Sequence, residues 1–238
     1  MMKITTVLFD LDGTLLPMDQ DVFVKHYFSL LAKRLALYGY QPDALIKSIW
    51  QGTAAMVKNS GEKLNEDVFW DKFAEIFGED TKKDEPKFAA FYQEEFDKVA
   101  VSCQKNEKAA EVIRLCHEKK LRTALATNPI FPAVATQKRT VWAGLSPDDF
   151  ELITTYENSH SCKPNPAYYR EILEKLGVHP EECLMVGNDV TEDMVAQTLG
   201  MKVFLLTDCL INKEGKDITA YPQGNFDTLL DYIRNLPE

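Results

Sequence analysis

The sequence predicts an α/β protein with a doubly wound parallel β-sheet as its core and an all-helical segment inserted after the first strand. The hydrophobic pattern changes period twice along the 238 residues. Residues 4–9 form a short apolar run with several β-branched side chains, which is typical of a buried strand. Residues 22–99 then keep the apolar spacing of helices, and from residue 105 onward strands alternate with helices. Such alternation predicts a parallel sheet covered by helices on both faces, to which the first strand also belongs.

The elements of this fold follow from the local pattern. Strands are predicted at residues 4–9, 122–127, 152–156, 183–187 and 202–207. Helices are predicted near residues 108–119, after Pro132, after Pro166 and up to Gly200, and a long loop is predicted at residues 208–225. More than half of the aromatic side chains lie between residues 17 and 100, so most of them should form a core of their own. We therefore predict a core domain of residues 1–16 and 101–238, and a helical domain of residues 17–100.

The charge balance argues against nucleic acid and membrane surfaces as partners. The chain has 27 Lys and Arg against 37 Asp and Glu, a formal net charge of −10, whereas both surfaces attract clustered basic side chains. No apolar run approaches the roughly 18 residues of a membrane span, and the N-terminal residues lack the pattern of a signal peptide. Five cysteines without a CxxC pair do not suit a disulfide framework, so we expect a reducing, cytoplasmic setting.

Polar side chains follow several of the predicted strands. In open α/β sheets, ligands bind beyond the carboxyl ends of the strands, where the strand order reverses. Another polar candidate lies just before a predicted helix, where Asn165 can cap the helix and Pro166 can occupy its first turn. The candidates are Asp10, Asp12, Thr127, Asn128, Lys163, Asn188 and Asp189.

Asp10 and Asp12 are the most informative pair. They lie two residues apart after an apolar strand, so continued alternation would place both carboxylates on one face. Two crowded carboxylates repel each other unless a divalent cation neutralises them or one of them is protonated, and nucleophilic and acid/base chemistry needs such a pair. The alternative interpretation is a simple strand-ending turn, where Asp and Gly are common.

The candidate residues belong to four short motifs. The first motif is Phe-Asp-Leu-Asp-Gly-Thr-Leu at residues 9–15, and the second is Ala-Thr-Asn at residues 126–128. The third is Lys163-Pro164, and the fourth is Val-Gly-Asn-Asp at residues 186–189 with Asp193. Together they resemble the motifs of the haloacid dehalogenase superfamily of hydrolases, in its phosphatase branch. One such motif would be weak evidence, but all four occur in the expected order. The resemblance implies a Rossmann-like core with a helical cap inserted between the first and second motifs.

The resemblance also implies roles for these positions. Asp10 would be the nucleophile that forms an aspartyl-phosphate, and Asp12 would be the general acid and base. The transferring phosphoryl group would be held by Gly13, Thr127, Asn128 and Lys163. Thr127 and Lys163 would also take part in catalysis, and Lys163 would offset charge on both the nucleophile and the transferring group. Mg²⁺ would be bound by the Asp10 carboxylate, the Asp12 carbonyl and an acidic residue of the fourth motif.

The fourth motif departs from the family pattern, in which an Asp directly follows the Gly. Here Asn188 takes that position and the acid is displaced to Asp189. We favour Asp189 as the metal ligand because a carboxylate binds Mg²⁺ better than a neutral amide, with Asn188 as the alternative. A third interpretation makes Asp189 only the N-cap of the following helix. Asp193 is expected to support the metal site without binding the ion.

These residues predict a Mg²⁺-dependent phosphatase that hydrolyses a small phosphorylated metabolite through an aspartyl-phosphate. Asp12 argues against a dehalogenase. A leaving alkoxide needs a proton from an acid such as Asp12, whereas a leaving halide needs none. A phosphomutase of the same fold and a non-catalytic metabolite-binding protein are the alternatives. The resemblance further implies a cap that opens and closes, with hinges near residues 15–18 and 99–105. The sequence predicts neither the substrate nor the oligomeric state.

Overall fold

The computed structural model describes residues 3–237. Its strands are β1 (Thr6–Phe9), β2 (Arg122–Leu125), β3 (Leu152–Ile153), β4 (Cys183–Gly187), β5 (Lys202–Leu206) and β6 (Gln223–Gly224). These strands form one fully parallel sheet in the order β3-β2-β1-β4-β5-β6. The doubly wound parallel fold predicted from the sequence is confirmed.

Eight α-helices accompany the sheet within residues 3–237. They are α1 (Gln20–Ala36), α2 (Pro42–Val57), α3 (Asn65–Phe77), α4 (Glu85–Glu94), α5 (Glu107–Glu118), α6 (Ala133–Trp142), α7 (Pro166–Leu176) and α8 (Phe226–Arg234). Local chemistry explains their ends. Asp19 caps α1 by accepting from two backbone amides, and α7 begins with the predicted Asn165 cap and Pro166 in its first turn. The C-cap of α7 is Gly177 in the left-handed conformation, which glycine adopts at little cost.

The structure differs from the sequence prediction at two places after β4. The helix expected up to Gly200 is a short 3-10 helix, Met194–Leu199, which follows a turn rather than starting at the strand. The predicted loop at residues 208–225 contains β6, which adds a sixth strand beside β5. A two-residue strand is too short to show a hydrophobic period, so no sequence pattern could predict it.

Helices α1 to α4 and two 3-10 segments, Glu79–Asp84 and Phe96–Ser102, lie between β1 and α5 in the chain. Their apolar side chains pack into one continuous cluster with one face of the sheet. The two chain segments that connect them to the core run side by side, since Met18 pairs with Cys103 and the Gln104 amide donates to the Pro17 carbonyl at 2.8 Å. The domain boundaries at residues 16/17 and 100/101 stay a prediction.

Candidate active site

The strand order reverses between β1 and β4, and the residues that follow these two strands are neighbours. Phe9 of β1 pairs with Val186 of β4 on one side and with Leu125 of β2 on the other. The Asp10 amide continues the ladder by donating to the Val186 carbonyl at 2.9 Å. A reversal of strand order leaves a crevice at the carboxyl ends of the strands, and Asp10 lies at this crevice.

A buried lysine joins two carboxylates at this point. Lys163 is only 1% exposed, and its Nζ donates to Asp10 Oδ1 at 2.8 Å and to Asp193 Oδ1 at 2.7 Å. Burial alone would lower the pKa of Lys163, but the charges of Asp10 and Asp193 outweigh it and hold that pKa well above its usual value. The ammonium group therefore stays charged and offsets the two buried carboxylates.

Asp193 is positioned from two further sides. Its Oδ2 accepts from the Asp189 amide at 2.9 Å, and a Cβ at Gly187 would overlap its carboxyl group. Burial raises the pKa of Asp193 to about 7, although Lys163 lowers it. Both carboxylate oxygens of Asp193 therefore bind protein donors, and Gly187 lets this carboxylate approach the strand end.

Asn188 is fixed by three contacts. Its Oδ1 accepts from Thr14 Oγ1 at 2.8 Å, and its Nδ2 donates to the Cys209 carbonyl at 2.6 Å. Gly13 has a φ of +83°, and a Cβ at this position would overlap the Asn188 amide. Gly13 thus permits both the left-handed turn and the close approach of Asn188. Sequence reasoning missed Thr14, although it lies within the first motif.

Asp189 is engaged in the turn that follows β4. Its Oδ1 accepts from the Thr191 amide at 2.7 Å and from the Glu192 amide at 2.9 Å. This is the capping role that the third interpretation assigned to it, except that it caps a turn and not an α-helix. Its contacts with Asp193 come from its backbone, since its amide donates to Asp193 Oδ2 and its carbonyl accepts from the Asp193 amide, both at 2.9 Å.

The oxygen atoms at the site suit a small, hard cation. Within residues 3–237, no three His, Cys, Asp or Glu side chains are grouped closely enough to form a metal site by themselves. The Thr14 hydroxyl lies 3.1 Å from Asp10 Oδ2 and 2.8 Å from Asn188 Oδ1. It can donate its single proton to only one of these two oxygens at a time. A carboxylate and an amide oxygen, completed by a backbone carbonyl and water, are donors that Mg²⁺ accepts.

Asp12 forms an ion pair that sequence reasoning did not predict. Its Oδ2 accepts from Nη1 of Arg139, a fully buried side chain on α6. Arg139 also donates to the Ala135 carbonyl and to Thr136 Oγ1, both at 3.3 Å, and lies 4.4 Å from the centre of the Phe131 ring. These contacts leave the guanidinium little freedom, so Arg139 fixes the orientation of the Asp12 carboxylate.

The second carboxylate oxygen of Asp12 has a different environment. Asp12 Oδ1 is buried and has no hydrogen-bond partner among the residues that the structure describes. Burial raises the pKa of Asp12, and the Arg139 guanidinium offsets only part of that rise. Asp12 therefore has one anchored oxygen and one oxygen available to a proton or a ligand.

Three further polar residues connect β2, the third motif and the turn after β4. Asn128 accepts from the Lys163 amide at 3.2 Å and donates to Glu192 Oε2 at 3.1 Å. Burial raises the pKa of Glu192 to about 7. The carbonyl of Thr127 accepts from the Tyr168 hydroxyl at 2.8 Å, which holds the end of β2. Glu192 was not predicted, because a Glu in a turn carries no distinctive sequence signal.

Beside this group of side chains lies a cavity of about 390 Å³ between the sheet and the helical segment. The sheet side of its wall includes Asp10, Asp12, Thr127, Asn128, Asn188 and Asp189. Helices α1 to α4 supply the opposite wall, which is mostly aromatic. The volume lies in the range of roughly 300–1,000 Å³ that is usual for small-molecule sites.

The predicted site residues fall into two groups, one that lines the cavity and one that lies behind its wall. Seven of the nine predicted site positions line the cavity, and Asp193 is one of them. Gly13 and Lys163 do not line it, and they contact Asn188 and Asp10 from behind the wall. The roles assigned to these residues in catalysis, phosphate binding and metal binding stay predictions.

The fold places Asp10 and its buried lysine partner at the switch point of a parallel sheet. Residues 4–196 match the family of haloacid dehalogenase-like hydrolases, so the chain belongs to that family and is an enzyme. The family predicted from the four motifs is confirmed. Within residues 3–237, no helix is long and apolar enough to cross a membrane.

Curated relatives match most of the chain. A phosphoglycolate phosphatase from Aquifex aeolicus is 27% identical over 199 residues, which is 84% of this chain and 83% of that protein. A pyrophosphatase from Bacillus cereus is 25% identical over 205 residues, with 84% and 82% covered. The crystal structure of a phosphatase of this family from Thermococcus onnurineus has a TM-score of 0.59 and 18% identity over 98% of this chain and 99% of that one.

Proposed function

We propose that this hydrolase is a Mg²⁺-dependent phosphatase that cleaves small phosphate monoesters through an aspartyl-phosphate on Asp10. The observation that carries the proposal is the placement of Asp10 and Asp12 on one cavity wall with different partners, a lysine for Asp10 and an arginine for Asp12. Two carboxylates in distinct environments suit the two roles of nucleophile and acid/base. Relatives named as phosphatases support the same class of reaction.

In the first step, an Asp10 oxygen forms a bond to phosphorus while the bond between phosphorus and the ester oxygen breaks. Lys163 donates to Asp10 Oδ1 and so positions the carboxylate, and its positive charge offsets the charge on the nucleophile and on the transferring group. The departing alkoxide takes a proton from Asp12. Burial raises the pKa of Asp12 and so favours the protonated form that this step requires.

In the second step, a water oxygen forms a bond to phosphorus while the bond between phosphorus and the Asp10 oxygen breaks, which releases inorganic phosphate and restores the Asp10 carboxylate. Asp12, now ionised, takes a proton from the water. Arg139 positions Asp12 for both steps through Oδ2, so Oδ1 faces the reacting oxygen atoms. Thr127 and Asn128 lie at the end of β2 on the same cavity wall, where they can donate to the phosphoryl oxygens.

The proposed metal site uses the Asp10 carboxylate, the Asp12 backbone carbonyl and one side chain of the fourth motif. Two observations support Asn188 as that side chain. Asn188 Oδ1 lies against the same Thr14 hydroxyl as Asp10 Oδ2. The Oδ1 of Asp189, in contrast, already accepts two backbone hydrogen bonds. When bound, Mg²⁺ would supply positive charge against the phosphoryl oxygens. The helical segment, residues 17–100, acts as the cap in this proposal and excludes water from the cavity.

Release of inorganic phosphate from a panel of sugar, nucleotide and aryl phosphates tests the proposal. We expect release with Mg²⁺ that EDTA abolishes and that Asp10→Asn reduces by at least about 10³-fold, because the amide is a poor nucleophile. Asp43→Asn, which changes an exposed acidic residue of α2 outside the catalytic group, is the matched control. An isomerised sugar phosphate would instead identify a mutase, and ligand binding without turnover would identify a binding protein.

A further inference from the structure

We propose that the alcohol released by this enzyme is uncharged and mainly aromatic or apolar. This inference rests on the proposed phosphatase function and specifies its substrate class. The supporting observation is the wall that faces the carboxylates. It includes Phe23, Phe28, Trp50, Phe69, Trp70 and Phe88, all from helices α1 to α4. Aromatic faces exclude water and stabilise flat apolar groups by stacking.

The charge of the cavity wall argues against a second anionic group in the substrate. Among the described residues that line the cavity, Lys213 is the only cationic side chain, and it is exposed to solvent. Two buried cations lie nearby, but Lys163 is paired with Asp10 and Asp193, and Arg139 is paired with Asp12. A carboxylate or second phosphate on the leaving group would therefore have no positive partner where it lies against the aromatic wall, and burying such a charge is costly.

The composition of the cavity wall distinguishes this chain from the two relatives whose names give a substrate, phosphoglycolate or pyrophosphate. Phosphoglycolate and pyrophosphate each carry a second anionic group close to the scissile bond. Sites that bind such compounds need a cation opposite that group. The aromatic wall of this cavity offers none, so we infer a different substrate class for this chain.

The aromatic wall also contains neutral hydrogen-bonding groups. Trp70 Nε1 is buried and has no hydrogen-bond partner within residues 3–237. Tyr27 and Tyr92 also line the cavity, and their hydroxyl oxygens are 2.7 Å apart. An unpaired indole N–H favours a ligand with an acceptor atom, because a buried donor without a partner costs free energy. The leaving group is thus predicted to carry a neutral acceptor such as a hydroxyl, ether or carbonyl oxygen.

The first test compares benzyl phosphate with phosphoglycolate. Both are esters of primary alcohols, so differences in rate report mainly on recognition of the leaving group. Burial of one phenyl ring is expected to make kcat/KM about 10- to 100-fold higher for benzyl phosphate. Equal or faster hydrolysis of phosphoglycolate would overturn the inference.

The second test measures binding without turnover, by calorimetry with benzylphosphonate and phosphonoacetate in the presence of Mg²⁺. Tighter binding of benzylphosphonate supports the substrate class even when no ester is hydrolysed, and in that case only the phosphatase proposal fails. Binding of phosphonoacetate that equals or exceeds that of benzylphosphonate would overturn the substrate class, whatever the turnover.

A charge introduced into the aromatic wall provides a matched pair of variants. Thr53 lines the cavity on α2, whereas its neighbour Ala54 is exposed and lies outside the cavity. Thr53→Lys is expected to reduce the preference for benzyl phosphate over phosphoglycolate by about 10-fold or more, because it adds the missing cation. Ala54→Lys should leave the preference unchanged. A preference that is the same in both variants would contradict the role of charge in the cavity wall.

Discussion

Arg139 shows how a residue outside the motifs can control one inside them. The guanidinium is fully buried and has hydrogen-bond or stacking partners on three sides besides Asp12. Asp12 lies in the loop after β1, which by itself does not fix the direction of a carboxylate. The ion pair with α6 supplies that constraint, so under the proposed function Arg139 is a positioning residue for the acid/base.

Arg139→Met is therefore expected to lower kcat by about 10- to 100-fold with little change in KM, because Asp12 loses its orientation while the phosphate-binding groups remain. Arg139→Lys should recover part of the loss, since it restores a charge but not the planar set of donors. Steady-state kinetics on the best ester of the panel provide the measurement, with Arg114→Met, an exposed arginine of α5, as the control. A raised KM with unchanged kcat would show instead that Arg139 binds substrate.

At the scale of elements, helix α7 and the segment before it act as one unit. Glu171 on α7 accepts from both the backbone amide and the ring Nδ1 of His160, at 3.0 and 2.9 Å, and it also contacts Lys175 at 2.9 Å. These bonds tie the helix to the segment that leads to Lys163. The lysine that holds Asp10 thus depends on a hydrogen-bond network outside the cavity.

This network predicts a dependence of stability on pH. Burial alone would raise the pKa of Glu171, but hydrogen bonds from His160 and Lys175 outweigh it and lower the pKa below its ordinary value of 4.5. Because the pKa of Glu171 is lower in the folded than in the unfolded state, the ionised carboxylate stabilises the protein above pH 4.5. This contribution is lost as the pH falls through the folded-state pKa. Glu171→Gln should therefore reduce the free energy of unfolding by about 1 kcal/mol at pH 7 and by less at pH 3.5.

Urea unfolding at the two pH values measures this difference. Glu174→Gln changes an exposed glutamate of the same helix and should have little effect at either pH. An equal loss for Glu171→Gln at both pH values would mean that the carboxylate charge makes no contribution.

At the scale of the whole molecule, the cavity belongs to neither the sheet nor the helical segment alone. Carboxylates come from the strand ends and aromatic rings from α1 to α4, and the chain passes between the two parts at two paired segments. A ligand that contacts both walls must therefore stabilise the assembled molecule against unfolding.

Inorganic phosphate with Mg²⁺, at about 100 times its Kd, is expected to stabilise the protein by about 2.7 kcal/mol. For a chain of this length, that free energy corresponds to a rise in Tm of about 5–10 °C. Scanning calorimetry with and without EDTA separates the metal-dependent part of the shift, and sodium chloride at matched ionic strength is the control. A Tm that does not respond to phosphate under either condition would contradict a phosphate site in this cavity.

Local patterns account for the parts of the protein that the sequence predicted well. The central strands, the caps of α7 and the position of Asp10 after β1 depend on hydrophobic period and turn chemistry within a few residues. Short elements such as β6 carry too few residues for a period, and the 3-10 helix after β4 depends on how Asp189 and Asp193 are bonded. Prediction therefore succeeded where the signal is local.

By itself, the sequence determined the family, the alternation of strands and helices along the chain and which polar residues follow the strands, because motif spacing and periodicity are properties of neighbouring residues. The tertiary structure alone decided the partners of those residues. The pairs Asp12–Arg139 and Thr14–Asn188 are separated by 127 and 174 residues, and the aromatic wall is formed by side chains from separate helices. Such contacts exist only once the chain is packed, since their distances are set by the arrangement of whole elements and not by local conformation.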